Sequence, residues 1–192
     1  MVKIGFIVEG DTEKILLESD NFQQLLGRLK LQACHPIENA NGSGNLLPKH
    51  IGPLVARLQL QTPTHIVILT DLENDVDKQA VITRIGTRFT ELIFVAVKAI
   101  EAWFLADTEA LGKWLKVEGI YEEFPETTPA LPWERLKMLA DEHHKRGPGS
   151  SKPVFAKRMT QHYGFRLEQA AQHGNCPSAA AFYGFLESLC GQ

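Results

Sequence analysis

A strand of the buried type that runs into an acid, a glycine and a helix is the feature that most constrains this chain. Residues 4–8 read Ile-Gly-Phe-Ile-Val, without polar alternation, which is typical of a strand covered on both faces. Glu9 follows at the carboxyl end, Gly10 permits a tight turn, and Asp11 is predicted to cap a helix with Glu13 in its first turn. Ligands of open parallel sheets bind at the carboxyl ends of strands. We therefore expect Glu9 to take part in chemistry.

A second apolar segment, residues 65–70, ends in the same way. It is followed by Asp71, Leu72 and Glu73, and alternate residues of an extended segment point to one side. Carboxylates at two strand ends indicate a site for a hard cation, Mg²⁺ or Mn²⁺. The alternative is that such acids only cap helices. We favour capping for Asp11 and Asp75, but not for Glu9 together with Asp71.

The order of the segments predicts an α/β fold. Residues 3–8, 31–37, 65–70 and 92–97 are the predicted strands, and helical patterns lie between them, which indicates a mostly parallel four-stranded sheet flanked by helices. Lys98 follows the fourth strand on the edge that carries the acids. From residue 111 the patterns are helical. We therefore predict an α/β core in residues 1–110 and a helical annex in residues 111–192, packed together as one compact domain.

Composition limits the cellular setting and the partners. Three cysteines without a Cys-x-x-Cys pair indicate reduced thiols, and the sequence shows neither a leader peptide nor an apolar run that would span a bilayer. These features predict a cytoplasmic protein that does not bind membranes. The net charge is −3, so contact with nucleic acid requires a local basic patch.

A basic segment supplies such a patch. Between His143 and Leu167 no acid occurs, and the basic residues are Lys145, Arg146, Lys152, Lys157, Arg158 and Arg166. We predict that Lys152 and Lys157 contact phosphate, and that Lys145 and Arg158 belong to the same nucleic-acid-binding surface. The alternative is a solvated helix face, which we favour for Arg146 and Arg166.

Two further stretches are ambiguous on the residues alone. The loop that contains Gly42, Ser43 and Gly44 precedes a helix and would suit a phosphate, but it lacks the Gly-Lys-Ser/Thr ending of a P-loop, so a plain flexible loop is the favoured interpretation. Glu101 lies beside Ile100 in an otherwise apolar helix. Helical periodicity places it on the solvated face, with a role as a third metal ligand as the alternative.

These motifs together resemble the Toprim domain, which occurs in topoisomerases, primases and OLD-type nucleases. The segments that carry the resemblance are Val8-Glu9-Gly10-x-Thr12-Glu13, the acidic cluster after residue 70, Asn41 to Leu46, Ile100 to Asp107, and Ser151-Lys152-Pro153 with Lys157-Arg158. Their order is similar to the Toprim-like bacterial proteins of domain-of-unknown-function family 4276. The second acid of the family's Asp-x-Asp pair is Glu73 here, so Glu73, Asp75 and Asp77 all remain candidates for the partner of Asp71.

The resemblance implies a Toprim-like, Rossmann-like fold and a Mg²⁺- or Mn²⁺-dependent nuclease of bacterial defence or DNA repair, with an ATPase as a possible protein partner. Glu9, Asp71 and Glu73 would hold metal, Glu101 would complete a second metal site, and Lys152 would neutralise the scissile phosphate. Two alternatives stay open: a non-catalytic Toprim-like effector subunit, and a receiver-like phospho-acceptor or ligand-binding module. A receiver needs a further strand that bears a lysine.

Overall fold

The computed structural model describes residues 1–190, in which five strands form one sheet. The strands are β1 (Val2–Val8), β2 (Leu31–Ala33), β3 (Glu38–Asn39), β4 (His65–Asp71) and β5 (Ile93–Ala96). Their order is β2-β1-β4-β5, with β3 also paired to β1, and every pairing is parallel. The predicted α/β class with a parallel sheet is confirmed. β1 and β4 are direct neighbours, so the two strand ends that carry acids meet.

The sheet has five strands rather than the predicted four, because residues 31–37 do not form one strand. β2 pairs Ile4 with Ala33, and β3 pairs Val8 with Asn39, so both strands run along β1 one after the other. Pro36 lies between them, and a proline has no N–H group to donate to a neighbouring strand. Within residues 1–190 no strand follows β5, so the further strand that a receiver needs is absent there.

Ten α-helices accompany the sheet in the described part of the chain. They are α1 (Asp11–Glu18), α2 (Asp20–Arg28), α3 (Gly52–Gln59), α4 (Lys78–Ile85), α5 (Glu101–Ala106), α6 (Thr108–Leu115), α7 (Pro132–Glu142), α8 (Lys152–Gln161), α9 (Leu167–Gln172) and α10 (Pro177–Ser188). Several begin at a side chain that accepts a backbone N–H, as Asp77 does for α4 and Ser151 for α8.

The sheet is buried on both faces, as the apolar character of β1 predicts. Ile7 faces the smaller of two hydrophobic clusters, which α3 and α4 complete. Phe6 faces the larger cluster, to which both the first strand and the last helix contribute, the latter through Phe182. None of the helices in residues 1–190 has the length and apolar composition that crossing a bilayer requires.

Candidate functional site

Glu9 and Asp71 meet at the carboxyl ends of β1 and β4. The register of these strands places Val8 opposite Leu69, so the residues that follow lie side by side. The carboxylate of Glu9 accepts hydrogen bonds from the Thr70 hydroxyl and, over 3.3 Å, from the backbone N–H of Asp71. Asp71 Oδ1 accepts a 2.8 Å hydrogen bond from the backbone N–H of Ile100. Both carboxyl groups are buried and held in fixed orientations.

Glu101 joins them from the first residue of α5, and its side chain is only 1% exposed. Its Oε2 accepts a 3.2 Å hydrogen bond from the ammonium group of Lys152, while its Oε1 is buried without any hydrogen-bond partner. The expectation of a solvated helix face at Glu101 is therefore wrong. Helical periodicity separates one side of a helix from the other, but α5 is buried all round because α7 and α9 pack against it.

Glu13 is a fourth carboxyl group of the site, although the sequence pattern predicts it only as a residue of the first helical turn. It is buried in the first turn of α1, where its Oε2 accepts the backbone N–H of Gly10 over 3.1 Å. Gly10, rather than Asp11, is the N-cap of this helix, while Asp11 accepts a hydrogen bond from the Asn39 side chain. The spacing of four residues between Glu9 and Glu13 was the signal available, since it places Glu13 one helical turn beyond the strand end.

These groups line one cleft of about 400 Å³ at the strand ends, which we call the acidic cleft. Its walls contain Glu9, Gly10, Asp11, Thr12, Glu13, Asn41, Gly42, Asp71, Glu101 and Lys152. Lys152 is the N-terminal residue of α8 and reaches in with its side chain still 45% exposed. Four of the five acidic side chains in these walls, all except Asp11, are buried, and they share the acidic cleft with a single lysine.

The electrostatics of the acidic cleft favour protons or cations. Burial, and then the negative charges of Glu13, Glu101 and Glu9, raise the pKa of Asp71 well above its ordinary value, although Lys152 acts against this. Burial and the charges of Glu9 and Glu101 raise the pKa of Glu13 to about 7. Burial also raises the pKa of Glu9, against the hydrogen bonds from Thr70 and Asp71. Ionised together, these carboxylates repel one another.

The donor set fits a magnesium or manganese ion. Each of the four acidic residues offers carboxylate oxygens, which are the ligands that such ions prefer. Glu101 Oε1 has no hydrogen-bond partner, so it is free to bind an ion. Among residues 1–190 no three Asp, Glu, His or Cys side chains stand close enough together to enclose a metal by themselves. Mg²⁺ usually keeps several waters and takes one or two carboxylates plus substrate phosphate oxygens.

The three candidates for the partner of Asp71 occupy different positions. Glu73 is exposed and lines a smaller cavity that adjoins the acidic cleft. Asp75 pairs with Arg84 over 2.8 Å, and Asp77 accepts the backbone N–H of Ala80 as the N-cap of α4. The helix-capping interpretation given to Asp75 therefore belongs to Asp77. A metal-binding role for Glu73 stays a prediction.

The glycine loop borders the acidic cleft at one residue. Gly42 lies in the wall with a φ of 121°, and its backbone N–H donates to the carbonyl of Glu9 over 2.8 Å. Ser43 and Gly44 begin a short 3₁₀ helix outside the lining of the acidic cleft. The phosphate-binding role of Gly42, Ser43 and Gly44 stays a prediction, and the N–H of Gly42 is already engaged.

The basic residues separate into one that reaches the acidic cleft and others that lie outside its lining. Lys152 contacts Glu101, whereas Lys145 and Lys157 are exposed on the surface. Arg158 is turned inward, where it donates to the carbonyl of Pro148 and lies 5.4 Å from the ring centroid of Phe155. The structure thus gives Arg158 an internal contact in addition to the nucleic-acid-binding role predicted for it.

No family model matches the sequence, and no curated protein matches it. Among solved structures, the chain is similar to the C-terminal region of the Burkholderia pseudomallei OLD protein, with 18% identity, a TM-score of 0.45, and 95% of this chain and 96% of that chain covered. It is also similar to the C-terminal region of the Xanthomonas campestris pv. campestris OLD protein, with 17% identity, a TM-score of 0.42, and 97% and 96% covered. Likeness of this degree assigns this chain neither an activity nor a ligand, so its function has to be argued from the acidic cleft.

Proposed function

We propose that this protein is a Mg²⁺- or Mn²⁺-dependent phosphodiesterase of the Toprim type that hydrolyses DNA or RNA. The observation that carries the proposal is the gathering of Glu9, Glu13, Asp71 and Glu101 around Lys152 at the carboxyl ends of two adjacent strands. Burial that raises the pKa values of Glu9, Glu13 and Asp71 lowers the stability of the fold, and a bound cation offsets that cost. Such an arrangement suits a site that is completed by a cation and a phosphate.

The cation-binding role is assigned to the carboxylates that the backbone already orients. Glu9, Asp71 and Glu101 would supply one or two carboxylates to each bound ion, with waters and phosphate oxygens as the other ligands, and Glu13 lies within the same acidic cleft. When bound, such an ion offsets negative charge on a phosphate and lowers the pKa of a coordinated water. The hydrogen bonds from Thr70 to Glu9 and from Ile100 to Asp71 keep both carboxylates directed to one place before any ligand arrives.

The side chains would divide the remaining work. The Lys152 ammonium would bind a non-bridging oxygen of the scissile phosphate and stabilise the extra negative charge of the transition state. Glu13, whose pKa is about 7 in the cation-free cleft, is the group best suited to take up the proton that an attacking water loses. A water is the proposed nucleophile: its oxygen bonds to phosphorus and its proton passes to Glu13. The bond between phosphorus and the sugar oxygen breaks, and that oxygen takes a proton from solvent to become a hydroxyl.

A nucleic acid fits this site better than a small phosphodiester because cationic side chains continue beyond the acidic cleft. Lys157 on α8 and Lys145 before it are exposed, and Lys152 begins the same helix. A polymer that places one phosphate at Lys152 can bring neighbouring phosphates to these lysines. Because the net charge is −3, the rest of the surface does not favour a polyanion.

A gel assay of single-stranded DNA, double-stranded DNA and RNA with Mg²⁺ or Mn²⁺ tests the proposal. We expect cleavage that requires the cation and disappears in Asp71→Asn, which keeps the oxygen that accepts the Ile100 N–H. Asp141→Asn, an exposed aspartate of α7, is the matched control and should retain activity. Cleavage that survives Asp71→Asn would show that a contaminating nuclease or another site is responsible.

Cation binding can be followed independently of hydrolysis. Millimolar Mg²⁺ or Mn²⁺ should raise the melting temperature, because the ion binds the folded state, and should release protons from the acidic cleft near pH 7. Both effects should be absent in Asp71→Asn. Cation binding without cleavage of any of the three substrates would favour the alternative of a non-catalytic effector subunit. The absence of both would refute the proposed site.

A further inference from the structure

A second cavity, of about 120 Å³, opens from the acidic cleft on the side of β5, and we call it the side cavity. Asp71, Glu101 and Lys152 line both spaces, so the side cavity begins where the scissile phosphate is placed by the proposed function. The remaining residues that line the side cavity do not line the acidic cleft. A ligand group that enters it would remain in contact with the catalytic residues.

One wall of the side cavity is apolar and comes from the start of α7. It consists of Leu131, Pro132 and Trp133. Trp133 is fixed from the interior by Phe155, with ring centroids 5.7 Å apart, whereas Leu131 is 56% exposed. A leucine in that position, beside charged catalytic groups, has no part in the hydrophobic core. It is suited to cover the face of a planar ring.

The lining also includes a cationic donor, Lys98, and the amide side chain of Asn74. The ammonium group of Lys98 donates to the carbonyls of Thr128 and Ala130, the latter over 3.2 Å. An ammonium group has three N–H donors. Its third N–H forms no hydrogen bond to any of residues 1–190, so it is available to an acceptor on a ligand.

We propose that the side cavity binds one unstacked nucleobase of a single-stranded nucleic acid, next to the scissile phosphate. A base has two apolar faces and an edge of donors and acceptors, which match the Leu131 wall and the donors of Lys98 and Asn74. The side cavity is far smaller than a drug-sized pocket and has no room for a base pair. A duplex would have to unpair first, so we expect a preference for single strands or frayed ends. The position of the scissile phosphate beside the side cavity rests on the proposed function.

The test compares two single-stranded oligonucleotides of equal length, one with ordinary bases and one built entirely of abasic nucleotides. Fluorescence anisotropy measures their affinities in Ca²⁺ buffer, and a gel run afterwards confirms that the strands are intact. Phosphate contacts act equally on both strands, so the ratio of the affinities isolates the bases. We expect the wild type to prefer the base-containing strand by about tenfold, as burial of one apolar face of a base against Leu131 allows.

Leu131→Gln should bring this ratio close to one, and Leu60→Gln is its matched control. Leu60 is 85% exposed and lies outside the linings of the side cavity and the acidic cleft, so that variant should keep the wild-type ratio. Because Leu131 is also largely exposed, neither change should alter the melting temperature.

A wild-type ratio of one, a ratio that Leu131→Gln leaves intact, or no binding of either strand would overturn the inference. The hydrolysis assay separates this result from the proposed function. Cleavage together with an affinity ratio of one would refute the base site and leave the proposed function standing. An affinity ratio of about tenfold without any cleavage would refute the catalytic role and support a site that only binds single strands.

Discussion

The ammonium group of Lys152 donates a hydrogen bond to Glu101 Oε2 over 3.2 Å, and Glu101 Oε1 beside it is buried without a partner. The two residues are far apart in sequence and come from α8 and α5. Lys152 is also the positive charge that acts against the raised pKa of Asp71. A lysine therefore balances part of the charge of the acidic cleft where a metal cation is proposed to bind.

Glu101→Gln should leave the fold intact and weaken cation binding. The amide removes a negative charge that raises the pKa of Asp71, while Lys152 is 45% exposed and stays solvated without its partner. We expect the free energy of unfolding without cation to change by less than about 1 kcal/mol, and the Mg²⁺-dependent rise in melting temperature to be lost. Differential scanning fluorimetry with a Mg²⁺ titration measures both quantities. Glu134→Gln, an exposed glutamate of α7, should retain the wild-type response.

Glu13→Gln should change how stability depends on pH. Burial, followed by the charges of Glu9 and Glu101, raises the pKa of Glu13 from 4.5 to about 7, so between these pH values the folded protein holds a proton that the unfolded chain has released. The free energy of unfolding without cation should therefore fall as pH rises through this window, by up to about 3 kcal/mol from Glu13.

Urea denaturation at several pH values measures this dependence. Glutamine still accepts the Gly10 N–H and does not titrate, so the variant should have a flatter profile than the wild type. Glu18→Gln, on the same helix, should keep the wild-type slope. Identical profiles for Glu13→Gln and the wild type would mean that folding does not raise the pKa of Glu13.

Lys152→Ala and Lys157→Ala should have different effects, although both remove one lysine from α8. Lys152 lies in the acidic cleft, so its loss should lower the hydrolysis rate at saturating substrate by about 100-fold. Lys157 is exposed, so its loss should weaken binding to all sequences and reduce the slope of log K against log salt by about 1. Kinetics and binding across a salt series measure these effects. Equal losses of rate in the two variants would contradict the distinction.

Arg158→Ala should reduce stability more than nucleic-acid affinity. Its side chain bonds the carbonyl of Pro148 and lies over the ring of Phe155, so truncation removes two internal contacts. We expect the free energy of unfolding to fall by about 1–2 kcal/mol, measured by urea denaturation, with the neighbouring Lys157→Ala unchanged. A loss of affinity at full stability would return Arg158 to the surface role that its sequence context predicts.

The residues that the sequence placed well are those whose positions follow from local structure. Glu9 and Asp71 each end an apolar strand, and in a parallel sheet that alone brings both to one edge. Glu101 could not be placed from periodicity, because its burial depends on helices that come later in the chain. Arg158 shows the same limit, since a basic segment does not reveal which side chain turns inward toward Pro148.

Glu13 and the strand count illustrate a different limit. A glutamate three residues after a helix N-cap is also what a capping box requires, and Glu13 does make that hydrogen bond. Glu13 both completes the capping box and lines the acidic cleft. Because the capping box alone explains a glutamate at this position, the sequence gives no separate sign of its place in the acidic cleft. The division of residues 31–37 into two strands was signalled by Pro36, because a proline has no N–H group to donate to a neighbouring strand.

Phe182 determines when this protein can finish folding. Its ring, on the last helix, contacts the rings of Phe6 on the first strand, Phe22, Phe94 and Trp103. A ribosome adds roughly 5–20 residues per second, so β1 waits roughly 9–35 seconds after its own synthesis for the side chain that covers it. During that interval the apolar side chains around Phe6 are open to water and to other chains. The aromatic contacts of Phe182 thus join the earliest and the latest parts of the described chain in one core, and that core closes only after α10 has been made.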